Sequence, residues 1–327
     1  MSHPTPLNDA IARAVAFLGD RQLASGELAT EISTDRAMAS DAAFDSSPFT
    51  TAIAVYSLGF VAASPGAATA QRAAAVRRRA LDFLHAERIP PGLWRYWSAR
   101  SGKGISPDAD DTALISFVLL EAGEGGDLPA ANRQLLAANR DRDGIFQTWF
   151  RAPGARNDTD SVVNANVLLY LGDGPDTAGA AARLREVASA GEVADSFWYY
   201  TTELAFHYAL SRAFRHGAAS LADVVPALRS QVLARRRPDL SFGDELDTAL
   251  AACTLLNLAP AGSPTDRETI RAAAGFLLAR PQEHGGWRSI AYYQGPEPPS
   301  PRTRFFGSAE LTTALCLEAL ARHASPS

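Results

Sequence analysis

Cysteine is scarce in this chain of 327 residues, with Cys253 and Cys316 its only two. Each falls inside an apolar helical pattern, which points to buried thiols in a reducing compartment rather than to a disulfide or a metal ligand. Basic runs are equally short. The net charge is −5, and the triplets Arg77-Arg78-Arg79 and Arg235-Arg236-Arg237 come late in predicted helices, where cations complement the helix dipole. Nucleic acid is excluded as a partner on that ground, because phosphate binding needs clustered Lys and Arg. No apolar run has the length of a membrane span, and Met1 to Gly19 lacks the basic start and continuous apolar core of a signal peptide. A soluble, cytoplasmic protein is expected. With 46% hydrophobic residues the chain can bury a large core, and no Pro-rich linker divides it, so residues 1–327 read as one domain.

What the chain has in abundance is helical periodicity of two kinds. Amphipathic stretches run from Leu7 to Leu23, Thr69 to Glu87, Pro129 to Asn139, Asp176 to Ala190, Leu221 to Arg237 and Thr265 to Arg280. Between them lie almost uncharged helices starting near Pro48, Asp108, Asp160, Ser196, Asp244 and Ser308. A helix apolar on every side is a buried one. Aligned on small residues, the buried set superposes Thr51-Ala52, Thr112-Ala113, Asn164-Ala165, Thr248-Ala249 and Thr313-Ala314, with Thr201-Thr202 as a looser sixth. Paired helices repeating in this way predict an all-α fold, an (α/α)6 barrel of six inner and six outer helices, with an open solenoid of the same pairs as its rival.

One stretch carries unusual charge. In Ser106-Pro107-Asp108-Ala109-Asp110-Asp111-Thr112-Ala113, three carboxylates within four residues run into an apolar helix. Pro107 and one aspartate suffice to start and cap that helix. Asp108 and Asp111 share a helix face while Asp110 points about 100° away. Like charges this close raise one another's pKa, which keeps a carboxylic acid protonated near neutral pH. In a closed barrel the inner helices all start at one end. Asp160, Asp244 and Asp247 are equivalent to the acids of this stretch, with Glu203 and Glu310 at nearby levels. An acidic mouth rimmed by aromatic residues is expected there, with Trp97, Trp149, Trp198, Tyr200, Phe305 and Phe306 as its walls.

The residues Asp108-Ala109-Asp110-Asp111-Thr112-Ala113 resemble the DxDD(T)A motif of class II terpene cyclases, the group that includes squalene–hopene cyclases and copalyl diphosphate synthases. Gln282-Glu283-His284-Gly285-Gly286-Trp287 resembles the Q…GxW repeat of that superfamily, and Asp143-Gly144-Ile145-Phe146 a degenerate copy with Phe for Trp. The resemblance covers essentially the whole chain and implies the (α/α)6 barrel of the cyclases and protein prenyltransferase β subunits. It implies that Asp110 is a general acid protonating an alkene or epoxide of a hydrophobic isoprenoid, with Asp108 and Asp111 tuning it. No cofactor is then required, and aromatic faces stabilise the carbocation. Those cyclases close the cavity between two barrels, whereas this sequence contains one. Either a partner, a second copy of the chain, or loops such as Gly92 to Gly104 and Tyr292 to Phe306 cover the mouth, or the substrate is small, or the chemistry has changed. Arg95, Arg100, Lys103, Arg151, Arg156, Arg302 and Arg304 are available in loops for an anionic diphosphate.

Two other readings stay open. Asp108, Asp111, Asp160, Asn164, Glu203, His207 and Asp244 are candidate ligands for a hard divalent ion such as Mg, Mn or Zn, which would make this a metal-dependent enzyme of different chemistry. Glu203 and His207, four residues apart, read equally as a relay or a satisfied buried pair. Asn164 and Asn166, amides inside an apolar helix, require partners. A non-catalytic protein holding an isoprenoid or partnering another subunit is the third reading.

Overall fold

The computed structural model describes residues 6–63, 68–126, 128–152, 154–258, 263–295 and 302–324. Among these, twelve helices follow one another as α1 (Pro6–Arg21), α2 (Pro48–Ala62), α3 (Ala68–Ala86), α4 (Ala109–Glu121), α5 (Leu128–Ala138), α6 (Ser161–Leu171), α7 (Ala178–Ala190), α8 (Glu203–Arg215), α9 (Val225–Ala234), α10 (Glu245–Leu258), α11 (Pro264–Leu278) and α12 (Ala309–Ala324). The even-numbered helices are the sparsely charged ones and are buried on most sides. They pack side by side in chain order, and α12 returns against α2. The ring closes, and the open solenoid is set aside. The odd-numbered helices lay an apolar stripe on this ring and turn their charges outward. Cys253 and Cys316 are buried free thiols, and no helix among the described residues is long and apolar enough to cross a membrane.

The repeated Thr or Asn has a structural task. The side-chain oxygens of Thr51, Thr112, Asn164, Thr248 and Thr313 accept hydrogen bonds of 2.9–3.1 Å from the backbone N–H of Leu28, Trp94, Phe146, Phe242 and Trp287. Each inner helix thereby fixes the chain segment entering it, a buried bond of about 1 kcal/mol that keeps an amide from being orphaned. Two of those residues brace the outer layer too. Trp94 Nε1 donates to Leu84 O of α3, and Trp287 Nε1 to Leu277 O of α11.

The sixth repeat departs from this pattern. Thr202 accepts from Leu204 N as the N-cap of α8 instead of bracing a loop. The helix expected from Ser196 therefore begins seven residues later, at Glu203. Trp198 to Tyr200 cannot join it because Trp198 N and Tyr199 N donate to Asp160 Oδ2, at 2.7 and 3.3 Å, and Tyr200 pairs with Tyr293.

A small antiparallel sheet, absent from the helical expectation, stands at the helix N-terminal end. Its strands are β1 (Thr30–Ser33), β2 (Ala43–Asp45), β3 (Ala291–Gly295) and β4 (Arg304–Gly307), in the order β2-β1-β4-β3. Ile32 lies opposite Phe306 across the β1–β4 pair. Positions 296–301, within the second loop expected to cover the mouth, lie outside the described residues.

Candidate active site

A cavity of about 810 Å3 opens where α2, α4 and α6 start. Phe49 and Val163 contribute from first helical turns, Ile32, Tyr293 and Phe306 from the sheet, and Tyr96 and Trp97 from the loop before α4. All three aspartates of the acidic stretch line it. The chain's own strands thus form part of the wall.

Asp108 caps α4: its Oδ1 accepts from Asp111 N at 2.8 Å. Burial pushes the Asp108 carboxyl up to about 6. Asp111 is held well above the usual carboxylate range by burial and then by the Asp108 charge. Asp110, on a different face, receives two donors. Asn166 Nδ2 donates to its Oδ1 at 2.7 Å, and Tyr200 Oη to its Oδ2 at 2.5 Å. Those bonds favour the ionised form, yet burial outweighs them and pushes Asp110 up to about 7. A carboxyl facing an aromatic cavity is thereby shifted toward its protonated form.

Most of the other acids are committed elsewhere. Asp160 caps α6 through Val162 N and holds the Trp198–Tyr199 backbone. Burial pushes it up to about 7, but it does not line the cavity. Asn164 spends both ends of its amide on Phe146 and Asp160 backbone groups. Glu203 pairs with Arg235, which caps the C-terminus of α9, and His207 meets Glu203 O and Gln231 Oε1, so this carboxylate and imidazole do not face each other. Asp244 and Asp247 belong to a separate polar depression with Arg237, Arg280 and Arg288. Glu310 pairs with Arg21. Among the described residues no group of three or more His, Cys, Asp or Glu has the arrangement to hold a metal ion. The single acidic ring expected at the mouth is thus split, because several acids turn toward arginines of the outer layer.

The aromatic wall also differs in part. Trp97, Trp149 and Phe306 line the cavity, as expected. Phe305 and Trp198 do not. Neighbouring strand residues point to opposite faces, so Phe306 inward sends Phe305 away, and Trp198 is drawn to Thr159 O. Tyr200 lies behind the wall, its ring 5.2 Å from Tyr292 and 5.3 Å from Tyr293, with its hydroxyl on Asp110. Tyr96 and Tyr199, aromatic residues of the expected rim, also line it, whereas sequence reasoning missed Phe49 and Tyr293 as wall residues. Around the opening stand Lys103, Arg151, Arg156, Arg302 and Arg304, five of the loop cations the sequence offered. Lys103 pairs with buried Asp45 at 2.9 Å and lies 5.0 Å from the Trp97 ring centre.

No protein-family model matches the chain, and no curated protein matches it by sequence. Solved structures do match it. The type II terpene cyclase MstE from Scytonema superposes with a TM-score of 0.74 at 18% identity, over 98% of this chain and 99% of that one. The fold is that of the type II terpene cyclases. A protein from Actinoplanes matches with a TM-score of 0.75 at 21% identity, covering 98% and 100% of the two chains. The ent-copalyl diphosphate synthase from Streptomyces platensis matches with a TM-score of 0.60 at 20% identity, over 85% of this chain and 50% of that one. The cyclase fold here is a single barrel of the size of MstE, with a wall completed by its own sheet.

Proposed function

We propose that this chain is a type II terpene cyclase-like isomerase in which Asp110 is the general acid. The observation that carries the reading is the Asp110 carboxyl itself, buried, raised to about 7 and lining an aromatic cavity. Asp110 gives its proton to an alkene carbon of an isoprenoid. The cation formed on the neighbouring carbon is attacked by further π bonds, closing rings. Loss of a proton from the last cation restores a neutral product, so atoms balance without a co-reactant. The faces of Tyr96, Trp97, Trp149 and Phe306 attract the migrating positive charge, each by about 0.5–2 kcal/mol in a desolvated site. Burial of Asp110 away from bulk water keeps the acid from being spent on solvent.

Two facts support the substrate class. MstE has been captured with geranylgeranyl dihydroxybenzoate as substrate, and the cations around the opening suit an isoprenoid whose head carries an anion, a carboxylate or a phosphate. The head would stay at the rim while the apolar tail reaches Asp110. The test is incubation of the purified protein with geranylgeranyl diphosphate and with geranylgeranyl dihydroxybenzoate, followed by mass spectrometry of the products. Cyclised isomers that vanish with Asp110→Asn are expected. Full turnover by that variant would end the assignment. Retention of ligand without conversion by the wild type would favour the binding role over the enzyme.

A further inference from the structure

Behind Asp110, a line of polar side chains continues into the barrel core. Arg212 Nη2 of α8 donates to Asn166 Oδ1 of α6 at 2.7 Å, and Asn166 Nδ2 donates in turn to Asp110 Oδ1. Neither Asn166 nor Arg212 lines the cavity. An arginine has donors only, so the amide oxygen of Asn166 must face it and the NH2 must face Asp110. The orientation of the amide is fixed by chemistry.

Arg212 is 1% exposed, and among the described residues no carboxylate lies within ion-pair distance of it. Its Nε and Nη1 have no hydrogen-bond partner there, and the rings of Tyr208 and Tyr56 flank it at 4.8 and 5.4 Å. Glu318 of α12, also in the core, is already engaged by Arg322 at 2.8 Å and by the Tyr208 hydroxyl at 2.7 Å. A buried cation with no anion of its own costs several kcal/mol, and arginine cannot relieve this by losing its proton.

Resting on the reading of Asp110 as proton donor, we infer that Arg212 and Asn166 are positioning residues, the guanidinium acting through the amide to stabilise the carboxylate left when Asp110 gives up its proton. Because Oδ1 is occupied by a donor that cannot turn round, the transferable proton sits on Oδ2, the oxygen met by Tyr200. The relay lies on the far side of the acid from the cavity, so its positive charge is kept apart from the carbocation. Other groups facing Asp110 are Asp108 and Asp111 at the start of α4, Asp160 at the start of α6, and Tyr200, Tyr292 and Tyr293. Those facing Arg212, besides Asp110, are Tyr208 on its own helix, His216 at the end of that helix, Tyr56, Tyr292 and Glu318; burial and then the Arg212 charge push His216 down to about 4, away from the Asp110 midpoint. The five tyrosines are held above their ordinary range by burial first, so none of them titrates near the midpoint of Asp110.

The test needs no substrate. Protein labelled with 13C at the aspartate carboxyls is titrated by NMR as wild type, Arg212→Gln and Asn166→Leu, with Asp110→Asn assigning the resonance. The Asp110 midpoint should rise by roughly one unit in both variants, with no further rise in the double variant. If geranylgeranyl substrates are turned over, kcat should fall about tenfold while the basic limb of its pH profile moves up and KM holds. A merely structural role would lower activity with the limb in place. An unmoved midpoint in a folded variant overturns the inference. Should the variants fail to fold, the wild-type Arg212 guanidinium 15N resonances decide: they follow the Asp110 titration if the relay operates and stay flat if it does not. A shifted midpoint without any cyclisation would sink the enzyme reading while showing that Arg212 and Asn166 still set the acidity of Asp110.

Discussion

Replacing Asp110 by asparagine should remove the proton donor and at the same time stabilise the fold. An amide keeps the shape of the carboxyl, accepts from Asn166 Nδ2, and can donate to the Tyr200 hydroxyl, so both contacts survive. What disappears is a buried group that must ionise. Its folded midpoint of about 7 stands above the 3.8 of a solvated aspartate, with burial the leading cause. Between those two values the folded state holds a proton that the unfolded state has lost, so stability is fully present below 3.8 and drains away as pH rises through about 7. At about 1.4 kcal/mol per unit of pH the loss amounts to about 4 kcal/mol, an upper value because water entering the cavity would solvate the anion. Urea unfolding of wild type and Asp110→Asn at intervals from pH 4 to 8 measures this. The variant should match the wild type near pH 4, gain on it steadily, and level off above 7. A difference in stability that does not change with pH would refute the reasoning, for it would mean that Asp110 is solvated and ionised throughout.

Strand alternation predicts that Phe306→Ala, which opens the cavity wall, changes turnover or product pattern on a geranylgeranyl substrate, whereas Phe305→Ala leaves both within about twofold; the reverse outcome would place the wrong face inward. Glu203→Gln should alter stability by less than about 1 kcal/mol and leave turnover intact, since its ion pair with Arg235 is partly exposed and remote from the cavity; loss of turnover would revive a catalytic role for the Glu203–His207 pair. Trp287→Ala should cost about 3–5 kcal/mol in chemical denaturation, because a fully buried indole and its bond to Leu277 O are lost together.

The barrel was legible because its signal is long: nearly uncharged helices alternate with amphipathic ones, and burial on all sides leaves little room for charge. The sheet was not. Thr30–Ser33 and Ala43–Asp45 are too short for a period of two to rise above noise, and β1 finds its partner β4 some 270 residues away. The acidic stretch stood out through its excess of carboxylates over what a cap requires. Its partners did not stand out in the same way. Asn166 was conspicuous as an amide in an apolar helix, but only the packing of α4 on α6 says that its bond goes to Asp110. Tyr200 was expected as a wall and is instead a donor, a distinction set by where the chain is pinned by Asp160. Glu203 and His207 share a helix face as spacing requires, yet that face meets the outer layer. Periodicity reports which residues are buried; it does not report against whom.

Pairing of β1 with β4 gives the cavity a history as well as a shape. The acids at 108–111 and the first strand leave the ribosome early, whereas the strand that completes the wall is made nearly two hundred residues later. Through that interval the aromatic cup has no roof, and its apolar faces are open to water and to other chains. A nascent chain, or one cut before β4, would hold the acidic stretch and lack the strand that completes the cavity wall. The acidic stretch waits for a distant strand to complete the wall beside it.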